Sequence, residues 1–227
     1  MNRKINAGYT KTPIYILFPD FLGTNNYIYY TMSAEILISL KNVTWPLHKR
    51  LERNLNLLAP SFSLEDYLRL IKAFWGYYRP FEANLTGILE LHGWLPDISM
   101  RSKLLLLEAD LQALGVVSDS LDRLPVCHEL PACTDLAAAM GCLYVLEGST
   151  LGGQVISRHL KGVFNLDVEN GAAFFTGYGE QTGAMWQTFR EVLMAATVDE
   201  VALINAACET FITLERWLCP SSIISDE

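Results

Sequence analysis

Over residues 33–218 the apolar side chains recur every three or four positions, and no convincing stretch alternates apolar with polar. That period buries one stripe along each helix, whereas a sheet needs alternation. Leu47, Leu51, Leu55 and Leu58 set the pattern early. A hydrophobic fraction of 51% against 19% charged residues supplies ample material for one core in a chain of 227 residues. The expected fold is all-α: a single helical domain over residues 32–219.

Residues 1–31 do not share the period. Their "GYTKTPIYILFPDFLGTNNYIYYT" is rich in Tyr, Thr, Asn, Pro and Gly, and reads as a poorly ordered or loosely docked extension. Residues 220–227 read as a tail. Inside the domain, Pro46 argues against one continuous first helix, with Thr44 able to cap a fresh one. Ser63 and Asp66 resemble a capping box opening a long helix that kinks at Pro80. A helix over 99–115 should stop at Gly115, residues 126–135 should be loop, and Asp135 should cap the next helix. Two further helices are expected around 180–196 and 199–218.

Charge and cysteines exclude several classes. A net charge of −8 argues against general nucleic-acid binding. The five cysteines include no C-x-x-C pair, so neither a disulfide framework nor a zinc site is suggested, and free thiols in a reducing cytoplasm are the expectation. No apolar run reaches the roughly 20 residues of a membrane helix, and "IYILF" is too short for a signal-peptide core.

Two features could carry chemistry. Lys41, Thr44, His48 and Glu52 fall on one stripe of an unbroken helix. His48 could offer Nε2 to a metal while Glu52, one turn on, takes a hydrogen bond from Nδ1. A lone histidine is also ordinary filler, as His92, His128 and His159 are read here. A two-metal carboxylate bundle needs paired Glu-x-x-His motifs, and the chain has none. The second feature is "YVLEGSTLGGQVISRHL", residues 144–160, where Gly148, Gly152 and Gly153 interrupt helical sequence. Each costs about 1 kcal/mol against alanine in a helix interior. Close helix packing and close approach of the backbone to a flat ligand both explain such glycines, and spacing alone leaves both open.

Taken together, "TWPLHKRLE" and "YVLEGSTLGGQVI", with "FWGYYRPFEANL", "KLLLLEADLQALG", "FFTGYGEQTGAMWQTF" and "ETFITLERWL" in order, resemble the biliverdin-producing heme oxygenases, in particular the bacterial branch often found with bacteriophytochromes. The resemblance covers roughly residues 33–218. It implies a helical bundle holding heme between a proximal and a distal helix, and cleavage of heme to biliverdin, Fe2+ and CO with O2 and electrons from outside. His48 would be the axial iron ligand, with Glu52 hydrogen-bonded to it. Gly148, Gly152 and Gly153 would meet the heme face, with Gly148, Ser149 and Gly152 closest to the chemistry. Lys41 and Arg190 would hold the propionates. Where mammalian members carry an Asp that organises distal water, this chain has Ser149. With no flavin, nicotinamide or iron–sulfur motif in the chain, a ferredoxin or flavoprotein reductase would supply electrons. Lys49, Arg50 and Arg53 could form its docking patch or be an ordinary solvated helix face, and a bacteriophytochrome is a candidate acceptor of biliverdin. The rivals are a non-degrading heme carrier or sensor, a thiaminase-type hydrolase of similar architecture, and a helical interaction module whose glycines only pack helices.

Overall fold

The computed structural model describes residues 35–220; the expected extension over 1–31 and nearly all of the tail over 220–227 lie outside them. Among the described residues there are seven α-helices and no strand: α1 (Glu35–Leu55), α2 (Leu64–Leu91), α3 (Leu104–Ala113), α4 (Leu136–Phe164), α5 (Ala173–Thr176), α6 (Thr182–Ala195) and α7 (Glu200–Leu218). The all-α reading holds. No helix among them is long and apolar enough to cross a membrane.

α4 is the central element. From Ala137 to Leu146 every residue except Tyr144 is buried, and beyond Gly148 the helix becomes amphipathic, with Leu151 and Val155 exposed. A helix apolar all round must sit inside the core, and α2, α5, α6 and α7 surround α4. Its closest neighbour is α7, and Gly141 makes that approach possible. A Cβ at Gly141 would stand 2.0 Å from the Leu203 carbonyl oxygen, so no other residue fits. α1 buries Ile36, Leu40, Thr44 and Leu51 and packs mainly along α7.

Local signals mostly decide the helix ends. Asp135 caps α4 by accepting from Ala138 N at 2.9 Å, and Ser63 and Asp66 form the expected capping box of α2. Three expectations change. α1 runs unbroken through Pro46, and Thr44 does not cap; its hydroxyl donates to the Leu40 carbonyl at 2.7 Å. Proline removes the donor that the Asn42 carbonyl would use, but both residues are exposed and water replaces it. The helix expected over 99–115 divides into a 3-10 turn, Ile98–Arg101, and α3. Glu82 of α2 accepts from Lys103 N and Leu104 N, both at 3.0 Å, and so fixes a new helix start that no neighbouring residue signals. The turn-rich stretch after α4 also contains a one-turn helix, α5.

Asp110 of α3 caps α5, accepting from Ala173 N at 2.6 Å and Phe174 N at 2.9 Å. Burial pushes its carboxyl up to about 6 despite those two bonds. With an unfolded value of 3.8, the folded protein binds this proton more tightly, so its contribution is full below pH 4 and is lost as pH rises through 6. Urea unfolding of the wild type and Asp110→Asn should show the wild type losing about 3 kcal/mol relative to the variant between pH 4 and pH 7. A difference that stays constant across that window would mean the carboxyl is ionised throughout.

Candidate functional site

α1 and α4 share α7 as a neighbour without packing along one another. They come near one another where Tyr144 of α4 approaches Thr44 of α1, with Arg190 of α6 near enough to act on the same phenol. Burial pushes that phenol up, against both neighbours. His48 and Gly148 each stand one turn beyond the junction on their own helices. α7 touches both helices: Phe211 lies 5.6 Å from the His48 ring, and the adjacent Thr210 lies close to Cys142 of α4.

On α1, the His48 imidazole is 38% exposed and meets Glu52, but through Nε2, at 3.3 Å from Oε1. The expectation had Nδ1 there. The i, i+4 spacing lays the tip of the ring over the carboxylate, so the outer nitrogen reaches it first. Trp45 stands edge-on at 5.9 Å, leaving the ring between two aromatics. Lys49 also bonds to Glu52, at 2.6 Å, and its ammonium lies over the Trp45 ring. Arg50 is paired with Glu215 of α7, so of the basic trio read from the sequence two members already have carboxylate partners. Lys41 and Arg53 are exposed.

The three glycines of α4 singled out in the sequence divide. A Cβ at Gly153 would lie 2.6 Å from the Phe175 carbonyl oxygen, so Gly153 packs α4 on α5. Gly148 would place a Cβ in ordinary contact with the Trp186 ring, at 3.6 Å, and Gly152 would place one in open space. Tyr144, Gly148 and Gly152 form one stripe, so the open backbone lies on the face that meets α1 at the junction. The Ser149 hydroxyl donates to the Leu146 carbonyl at 2.7 Å, and the hydroxyl of Tyr78 of α2, 3% exposed, lies close to it.

Behind this stripe lies a buried charge cluster that sequence reading missed. Glu147, 1% exposed, pairs with the buried Arg101, takes the Tyr178 hydroxyl at 2.7 Å and lies 3.5 Å from the Lys103 ammonium. Lys103 has no hydrogen-bond partner for its Nζ, which sits 3.7 Å from the Tyr178 ring centroid. Burial pulls its pKa down, opposed by Glu147. Arg101 also holds Asp97, at 2.8 and 3.0 Å, and donates to the Met185 carbonyl of α6 at 3.3 and 3.4 Å. A lone acidic residue in the apolar run "YVLEG" was the available signal, since a buried charge requires partners. Its partners, more than 30 residues away on either side, carry no local mark.

Similarities to known proteins follow the same lines. Residues 34–218 match the family model described as Heme oxygenase. The NO- and CO-bound heme oxygenase of Neisseria meningitidis superposes with a TM-score of 0.67 at 22% identity, covering 81% of this chain and 89% of that one. Heme oxygenase 2 of Chlamydomonas reinhardtii, solved without heme, gives 0.58 at 18% identity, over 81% and 95%. No curated protein matches in sequence.

Proposed function

The chain belongs to the heme oxygenase family, and from that premise we propose that it takes heme between α1 and α4 and degrades it to biliverdin, Fe2+ and CO. Bound heme supplies both the iron that takes up O2 and the porphyrin carbons that are oxidised, while electrons come from an external ferredoxin or flavoprotein reductase. The observation that carries the reading is the pairing of His48, set between two aromatics beside Glu52, with a stripe of α4 whose backbone at Gly152 faces open space.

The residues fit the group. His48 would hold the iron through one ring nitrogen while the other stays with Glu52, which fixes the ring and raises its basicity. Gly148 and Gly152, without side chains, let a flat macrocycle lie against the helix backbone. Ser149, beside Tyr78, offers a hydroxyl next to that face and would order water there in place of the Asp of mammalian members. Lys41 and Arg190 supply cations for the two propionates. The exposed side of α1, with Arg53 and Lys49, is where an acidic electron donor would dock, and a bacteriophytochrome is a candidate to receive the product.

Hemin titrated into the protein should bind one-to-one with the absorption spectrum of a histidine ligand. Adding reductant under air should then replace heme absorbance by that of biliverdin. An unchanged hemin spectrum would end the proposal, and heme that persists through reduction would make the protein a carrier.

A further inference from the structure

The glycine stripe is lopsided. Its Gly152 end is open, but Trp186 borders its Gly148 end, with Cη2 3.6 Å from where a Cβ at Gly148 would stand and the ring centroid 5.6 Å from Tyr144. Nothing about this ring is loose. It stacks on the buried Phe189 at 5.6 Å and 23°. The preceding residue, Met185, gives its carbonyl to Arg101, which is itself locked between Asp97 and Glu147. Four residues on, at the same face of α6, stands the exposed Arg190.

We infer that Trp186 is a specificity-determining residue: a fixed wall that decides which edge of a planar tetrapyrrole can lie over Gly148. The inference rests on the reading that such a ligand occupies the space between α1 and α4. A tetrapyrrole is nearly square, so a flat slot alone would accept it in several in-plane rotations, each presenting a different carbon bridge to the same protein atoms. A charge by itself selects the carboxylate-bearing side. A charge and a wall one helical turn apart select a single rotation, because turning the ring drives a substituted edge into the indole. Removing the wall leaves only the cations, Arg190 and Lys41, as guides. Steric exclusion of this kind changes which product forms more than how tightly the ligand binds.

The experiment compares the wild type with Trp186→Ala and Trp186→Phe. Proton NMR of the ferric, cyanide-bound hemin complex reads seating directly, because the hyperfine-shifted methyl signals differ between rotations. The isomer composition of the biliverdin formed is the second readout. One methyl pattern should dominate in the wild type. Trp186→Ala should raise a second pattern, changing the ratio of seatings roughly tenfold, with the product isomers following. Trp186→Phe, which keeps the stack on Phe189, should move both readouts in the same direction by less. It also decides the matter should the alanine variant fail to fold. If hemin binds all three with the wild-type pattern and isomer ratio, the assignment of Trp186 is wrong while the heme reading stands. If hemin does not bind the wild type, the heme reading is what falls.

Discussion

Replacing Gly152 by leucine should leave the protein folded, slightly more stable, and with a much weakened hold on hemin. The side chain enters open space, so it meets no clash, and a helix interior gains about 0.7–1 kcal/mol when glycine is replaced by a good helix former. On the proposed site, the same side chain occupies the space where the macrocycle would lie. Thermal unfolding should rise or stay level, and hemin affinity should fall about 100-fold, equivalent to about 2.8 kcal/mol. The neighbouring glycine provides the contrast. A methyl at Gly153 would press on the Phe175 carbonyl, so Gly153→Ala should be destabilised by about 1–3 kcal/mol. Hemin binding that survives Gly152→Leu would remove this stripe from the site.

Glu147→Gln should be strongly destabilising although it is isosteric. The variant keeps the volume and one acceptor oxygen but removes the negative charge that faces Arg101 and Lys103, all three of them nearly inaccessible to solvent. Breaking a buried pair leaves an uncompensated charge and costs about 3–5 kcal/mol. In a protein of this size that lowers the melting temperature by roughly 10 °C. Asp97 still serves Arg101, so the stranded group is chiefly Lys103, whose ammonium has no hydrogen bond even in the wild type. The double variant Glu147→Gln with Lys103→Met should therefore recover part of the loss. If the double variant lost more than the single one, the destabilisation would have another origin.

Most of the fold was legible because its signals are local. The caps at Ser63 and Asp135, the stop at Gly115 and the loop before α4 each depend on a few adjacent residues, and each appears where the sequence put it. Pro46 misled because the local penalty is outweighed by what α1 buries on both sides of it, Ile36, Leu40, Thr44 and Leu51, against the rest of the fold. The break before α3 was invisible because its cause, Glu82, lies some 20 residues upstream. The glycines show the same limit. Sequence singles out Gly148, Gly152 and Gly153 together, yet what separates them is what stands opposite: an indole, open space and a carbonyl. Gly141, the tightest of all, drew no notice, because its partner Leu203 lies on another helix. The pairing of His48 with Glu52 could be read from spacing; the nitrogen that faces the carboxylate could not.

The burial gradient along α4 has a mechanical consequence. The helix behaves as a cantilever, clamped from Ala137 to Glu147 by the core and the charge cluster, and free on one face from Gly148 onward. A load on the free arm bends it where side chains are missing and torsional stiffness is lowest, at Gly148 and Gly152. The clamped half, close-packed and incompressible, does not follow. Any bend there would be confined to the arm, which Gln154 and Ser157 still tie to Thr176, and would leave the Gly141–Leu203 contact, and with it the core, where it is.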